Sequence, residues 1–80
     1  MSNLETYNKA FCEALTLQPN ELNDDLAFNA IPAWDSVGHM MLVAALEAEF
    51  GIELAPDDIV GFDSYKAGKR ILQDQYKIEF

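Results

Sequence analysis

A serine stands at the predicted start of an apolar helix, within residues 34–40, whose sequence is WDSVGHM. The first N–H groups of a helix have no partners inside the helix, and the helix dipole adds partial positive charge at that end. A phosphate ester on the Ser36 hydroxyl would therefore be well placed. An Asp-Ser pair before a helix is also typical of an ordinary helix cap, so these residues alone leave both interpretations open.

The same segment contains the three side-chain types of a hydrolase: an acid, a nucleophile and a base. Ser36 and His39 are three residues apart, on one face of the predicted helix, and Asp35 precedes them. The chain has no nucleophile-elbow pattern and no candidate oxyanion hole, and it is too short to enclose a site away from water. We therefore expect no catalytic residue and interpret His39 as a surface residue near Ser36.

The chain has a single cysteine and a single histidine, which excludes an internal disulfide and a zinc site. Cys12 has no partner for an internal disulfide, and one cysteine with one histidine cannot supply the three or four ligands of zinc. We expect a packed or half-exposed thiol, no metal site and a reducing, cytoplasmic location. Residues 1–5 lack the basic start and apolar run of a signal peptide, and the apolar residues 40–46 are too few to span a bilayer.

The chain is strongly acidic, with fourteen acidic and five basic residues among eighty and a formal net charge of -9. This charge repels phosphate backbones and anionic lipids, so we expect neither nucleic acid nor membrane as a partner. It suits docking to proteins with basic patches, although solubility alone also explains it. The length predicts a monomer with one domain over residues 1–80 and one small core.

The spacing of apolar residues predicts an all-α fold: a small four-helix bundle with three longer helices and a short third one. Ser2 and Glu5 form a capping box at the first helix, Gly51 ends the second, and Ser64 caps the fourth. The predicted helices span residues 3–17, 56–60 and 65–76, together with a second helix that Asp35 or Ser36 caps and that runs to residue 50.

A long loop between Pro19 and Trp34 is predicted to connect the first two helices. Its apolar residues follow no clean period, and its Asn, Asp and Pro residues favour turns. A loop of this length in so small a domain indicates either a function or a short helix within it. The residues expected to anchor it to the core are Leu22, Leu26, Phe28 and Ile31.

The second helix is apolar nearly all round. One face, with Leu42, Leu46 and Phe50, is predicted to be core. The other face adjoins Ser36, and its methionines suit a surface that receives varied partners, although methionine also serves as plain helix filler. The apolar stripe on that face consists of Val37, Met40, Met41 and Ala44.

The chain resembles the acyl carrier protein family over nearly its whole length. The resemblance is carried by Asp35-Ser36-Val37, by LEAEFGIEL at residues 46–54, and by Pro-Asp-Asp at residues 56–58. In that family a transferase, with magnesium, moves 4'-phosphopantetheine from coenzyme A to the serine of an Asp-Ser-Leu motif, and the thiol of this arm carries acyl groups as thioesters. The resemblance assigns the covalent cofactor to Ser36, with Val37 replacing the usual leucine.

The resemblance implies a carrier that is not itself an enzyme. Its partners would be a phosphopantetheinyl transferase and the enzymes that load and process acyl groups in fatty acid, polyketide or related specialised biosynthesis. An aminoacyl carrier of D-alanyl or peptidyl type, or an unmodified acidic interaction module, remains an alternative. A second pair, Asp63-Ser64, also precedes a helix, but that helix carries basic residues outward, so we expect Ser64 only to cap.

Two positions depart from the carriers of fatty acid synthesis, which usually have acidic residues two and five positions after the modified serine. Here those positions hold Gly38 and Met41. A glycine inside a helix lowers the stability of the helix by roughly 1 kcal/mol relative to alanine. We therefore expect a specialised carrier with more apolar partner recognition.

The family also shelters acyl chains between its second and third helices. By position, that gap would here involve Leu46, Leu54, Ile59, Val60 and Phe62.

Overall fold

Four α-helices and one 3₁₀ turn make up the computed structural model, which describes residues 2–80. Met1, the first residue of the N-terminal segment considered above, therefore lies outside it. Within residues 2–80 there is no strand, only an isolated bridge between Ala27 and Ser64. The predicted all-α, four-helix architecture is confirmed. The helices are α1 (Asn3–Leu15), α2 (Ser36–Phe50), α3 (Pro56–Gly61) and α4 (Tyr65–Tyr76), and the 3₁₀ turn is Pro19–Glu21.

The predicted capping box begins α1. The Ser2 hydroxyl accepts a hydrogen bond from the Glu5 N–H, and the Glu5 carboxylate accepts one from the Ser2 N–H, both at 3.1 Å. The helix ends at Leu15, two residues before the predicted end at 17. Thr16 has a left-handed φ of 55°, and its N–H bonds back to the Cys12 carbonyl, which closes the helix.

The long loop between α1 and α2 is tied to the connection between α3 and α4. The Phe28 N–H donates to the Asp63 carbonyl at 2.9 Å, and the Tyr65 N–H donates to the Leu26 carbonyl at 2.8 Å. Leu26 is buried, and the other three predicted anchors, Leu22, Phe28 and Ile31, are half-buried against the core. The prediction that these residues anchor the loop is confirmed.

The two predicted faces of α2 are separated as expected. Leu42 and Leu46 are fully buried, and Phe50 packs half-buried against the same core. The opposite stripe faces solvent. The exposed fractions of its larger members are 68% for Val37, 56% for Met40 and 54% for Met41. None of the described helices is long and apolar enough to cross a membrane.

Gly38 lies where the first turn of α2 passes very close to the preceding loop. A methyl group at this position would overlap the carbonyl oxygen of Ala33 and lie 3.2 Å from Leu15 Cδ2. The overlap is between the Gly38 position, on the backbone of α2, and the backbone carbonyl of Ala33. Backbone atoms cannot rotate away as a flexible side chain can. Close packing therefore explains the glycine that helix propensity disfavours.

We predict that Gly38→Ala lowers the free energy of unfolding by about 1–3 kcal/mol, because the overlap outweighs the gain of about 1 kcal/mol in helix propensity. Urea unfolding followed by circular dichroism measures it. Gly61→Ala is the matched control, since a methyl group there would meet only Ile71 Cδ1 at 3.7 Å, an ordinary contact. A Gly38→Ala protein as stable as the wild type would contradict the close approach.

Candidate functional site

Trp34 fixes the point at which the loop ends and α2 begins. Its side chain is fully buried, and its ring lies edge-on against Phe11 with centroids 5.4 Å apart. Its backbone is also held, because its carbonyl accepts from the Asn29 N–H at 2.8 Å and its N–H donates to the Ile31 carbonyl at 3.2 Å. The residue two positions later is therefore presented from a rigid anchor.

Ser36 is the exposed first residue of α2. Asp35 is the N-cap, and its carboxylate accepts from the Gly38 N–H at 2.8 Å. The N–H groups of Ser36 and Val37 have no partner within the helix, so the partial positive charge of the helix end is available beside the hydroxyl. No acidic residue lies in the first turn of α2. An exposed hydroxyl at this helix end has room for a phosphodiester, whose negative charge the helix dipole favours.

Ser64, the second serine that follows an aspartate, has a different environment. It is half-buried, and its hydroxyl accepts from the Ala67 N–H at 2.9 Å as the N-cap of α4. The prediction that Ser64 caps a helix is confirmed. Within residues 2–80 the Ser36 hydroxyl has no such hydrogen bond.

The prediction that His39 is a surface residue is wrong. It is half-buried, with the nearly parallel Trp34 ring beside it and Phe28 edge-on to it, at centroid distances of 6.2 and 5.6 Å. The Trp34 Nε1–H donates to His39 Nδ1 at 3.0 Å, and His39 Nε2 lies 2.8 Å from the Ile59 carbonyl oxygen. The sequence did not reveal this role because Ile59 lies twenty residues away along the chain.

These two contacts define the tautomer of His39. An indole N–H can only donate, so Nδ1 must accept, and Nε2 must carry the proton that it donates to the Ile59 carbonyl. Both ring nitrogens are therefore occupied in the neutral form. The ring has no free lone pair to take a proton from Ser36, so the hydrolase arrangement is not formed.

A shallow apolar recess of about 210 Å³ opens between α2, α3 and the long loop. Three of the residues predicted from the resemblance border it: Ile59, Val60 and Phe62. The other two, Leu46 and Leu54, are buried in the core and do not line this recess. The additional lining residues, Phe28, His39 and Asp63, come from other segments of the chain.

The charges of the chain are segregated along the sequence. Eleven of its fourteen acidic residues lie within residues 10–65, and that stretch contains no lysine or arginine. Three of the basic residues belong to α4, where the Lys69 ammonium lies 4.7 Å from the centre of the Tyr65 ring. The helix that presents Ser36 and its exposed apolar stripe therefore contains acidic residues and no basic ones.

Cys12 is half-buried on α1, as expected. Burial raises the pKa of its thiol above the usual range, and the carboxylates of Glu21 and Glu13 add to this effect. A raised pKa lowers the thiolate fraction near neutral pH, so this thiol is a poor nucleophile.

The model of one known protein family matches this chain. The family model described as "Phosphopantetheine attachment site" matches residues 9–67, which include Ser36 and all of α2. Neither a curated protein nor a solved structure shows a significant match to the chain. Members of the matched family bear 4'-phosphopantetheine on a serine, are typically not catalytic themselves, and interact with a phosphopantetheinyl transferase and with biosynthetic enzymes. Because the match covers well over half of the eighty residues, this chain belongs to the phosphopantetheine-attachment family of carrier proteins.

Proposed function

We propose that Ser36 is the attachment residue for 4'-phosphopantetheine, and that residues 1–80 act as one acyl carrier domain. The observation that carries the proposal is the position of Ser36 as the exposed first residue of the fifteen-residue helix α2. The competing Ser64 is half-buried and engaged as a cap. The resemblance of Asp35-Ser36-Val37 to the attachment motif of the acyl carrier family supports the same choice.

The attachment reaction joins the Ser36 oxygen to the β-phosphorus of coenzyme A, with loss of the hydroxyl proton and release of adenosine 3',5'-bisphosphate. Both His39 nitrogens are occupied, so the base for this step comes from the transferase. The chain contributes an exposed nucleophile and a helix end that favours the anionic product. When bound, the arm supplies a thiol that carries acyl groups as thioesters.

The cargo proposed is an acyl group of a specialised pathway. Gly38 and Met41 stand where fatty acid carriers usually have acids, which favours dedicated partners over those of general fatty acid synthesis. An aminoacyl cargo is the second candidate, because D-alanyl and many peptidyl carriers resemble this chain in having a relaxed or glycine-containing sequence in this region.

We predict that incubation with coenzyme A and a broad-specificity phosphopantetheinyl transferase adds one phosphopantetheinyl mass to the intact protein. Ser36→Ala should gain none, because the nucleophile is gone. Ser64→Ala is the matched control and should be modified like the wild type. An unchanged wild-type mass, or modification of Ser36→Ala, would contradict the assignment of Ser36 as the attachment residue.

The two thiols of the modified protein are predicted to react at different rates. The raised pKa of Cys12 leaves less thiolate at about pH 8 than an ordinary thiol has, whereas the arm's thiol is free of this burial. Iodoacetamide should therefore alkylate the arm first, and the difference should shrink as pH rises. Mass spectrometry of the digested protein measures both rates, and Cys12→Ser should show only the faster one. Equal rates at about pH 8 would contradict this account of Cys12.

The proposed partner surface is a protein face with an apolar centre and a basic rim. The exposed stripe of Val37, Met40 and Met41 offers the apolar contact. The stripe belongs to residues 10–65, which contain eleven acidic residues and no lysine or arginine, and this charge complements lysine and arginine on a partner. Apolar centres with polar rims are the usual anatomy of protein interfaces.

Met41→Glu is predicted to weaken binding to the dedicated loading or processing enzymes by roughly tenfold, because a carboxylate would be buried in the apolar centre of the interface. Isothermal titration calorimetry measures the dissociation constants. Gln73→Glu, which adds the same charge at an exposed position of α4, should leave them unchanged. Tighter or unaltered binding of Met41→Glu would count against an apolar docking centre.

A further inference from the structure

The basic residues of the chain are concentrated on α4. Four of the five lie within residues 66–77, which contain one acidic residue, Asp74. Lys66, Arg70 and the C-cap residue Lys77 are exposed, and their spacing of four and seven residues places them along one side of the helix. At about 1.5 Å per residue they span about 16 Å. We call these three residues the basic stripe.

The basic stripe has no acidic partner inside the fold. Within residues 2–80 one ion pair is formed, between Lys9 and Glu49 at 3.7 Å. Lys69, the fourth basic residue of this segment, is half-buried, and its ammonium lies 4.7 Å from the centre of the Tyr65 ring. It therefore has a contact within the fold and is not part of the stripe. The three charges of the stripe remain available to another molecule.

Helix stability does not explain where the charges of α4 lie. The helix dipole favours acidic residues in the first turn and basic residues in the last. In α4 the order is reversed, because Lys66 lies in the first turn and Asp74 in the last, which contains no basic residue. Lys77, which follows the last turn, is placed favourably. Binding of another molecule accounts for Lys66 and Arg70, whereas the stability of the helix does not.

The basic stripe lacks an apolar centre. The large apolar side chains that are exposed within residues 2–80 belong to other parts of the chain, and α4 contributes none of them. A partner bound at the stripe is therefore held by charge. Exposed ion pairs are individually weak and are screened by salt, so this binding is weak, rapidly reversible and sensitive to ionic strength.

The charge of the whole chain distinguishes among anionic partners. A nucleic acid or an anionic membrane extends well beyond the stripe, and it would be repelled by a chain with a formal net charge of -9. A second copy carries the same net charge and is repelled as well. A short acidic segment of another protein needs to match only the stripe. Three carboxylates on one side of a helix, four and seven residues apart, have the matching spacing.

We propose that the basic stripe of α4 docks an acidic helical segment of a partner protein. Arg70 lies between the two lysines, and its guanidinium can donate two hydrogen bonds to one carboxylate, so it is the principal contact. Ser36 and the exposed apolar stripe belong to α2, a different helix. The partner therefore contacts a surface separate from the one proposed for the loading and processing enzymes. The docking does not require modification of Ser36.

The test uses an alanine-rich helical peptide with three glutamates four and seven residues apart, which lie on one side of the helix. The peptide is titrated into isotope-labelled protein and followed by NMR at about 50 mM sodium chloride. The amide signals of residues 66–77 should shift and saturate, and those of α2 should not. A second peptide of the same composition has its glutamates five residues apart, on different sides. It should bind roughly threefold more weakly.

Arg70→Gln should weaken binding of the first peptide roughly threefold, the size expected for the loss of one exposed ion pair. Lys9→Gln is the matched control, because it removes the same charge from α1, and it should leave binding unchanged. Circular dichroism should show that Arg70→Gln folds like the wild type, since Arg70 is exposed and has no ion pair within residues 2–80. Sodium chloride at about 500 mM should abolish binding.

The proposal is overturned if residues 66–77 show no shifts, if the two peptides bind equally, or if Arg70→Gln binds like the wild type. Shifts of the same signals when the protein alone is concentrated would assign the stripe to a second copy, and equal shifts with phosphatidylglycerol vesicles would assign it to a membrane surface. Either result also overturns it. Ser36→Ala should bind the peptide like the wild type, so failure of docking and failure of phosphopantetheine attachment are distinguished.

Discussion

A buried tryptophan needs both an apolar cavity for its ring and an acceptor for its N–H. Trp34 meets the first need by packing edge-on against Phe11 of α1, and the second through Nδ1 of His39, one turn into α2. Because Nδ1 of His39 thereby accepts a hydrogen bond, Nε2 is the donor to the Ile59 carbonyl of α3. One buried side chain thus links the loop and three helices, and the presentation of Ser36 depends on it.

The region that follows Trp34 is shaped by close packing as well as by hydrogen bonds. Gly38 lets the first turn of α2 approach the Ala33 carbonyl, which keeps the loop folded tightly beneath the helix end. Asp35 closes that end by accepting the Gly38 N–H. The serine between them is left exposed on a rigid support, and a covalent arm attached there would begin from a fixed point.

The two faces of α2 have different roles, one in the core and one on the surface. A small domain can therefore combine stability with recognition. Its inner face contributes fully buried leucines to the single core, while its outer face leaves apolar side chains in solvent. Exposed apolar side chains in a row weaken solubility, and the formal net charge of -9 offsets this. The same acids attract basic partners, so charge serves solubility and docking together.

Much of this protein followed from local sequence signals, which act within a few residues. The capping box of Ser2, the left-handed Gly51 and the cap at Ser64 each predicted a helix boundary that the structure contains. The position of Ser36 at the start of a helix was also predicted from such local signals. What only the tertiary structure decided are contacts between distant segments: the His39 bond to Ile59, the fit of Gly38 against Ala33, and a recess that excludes Leu46 and Leu54. Periodicity determines which face of a helix is apolar, but the partner of a side chain depends on how the helices and the loop pack against one another.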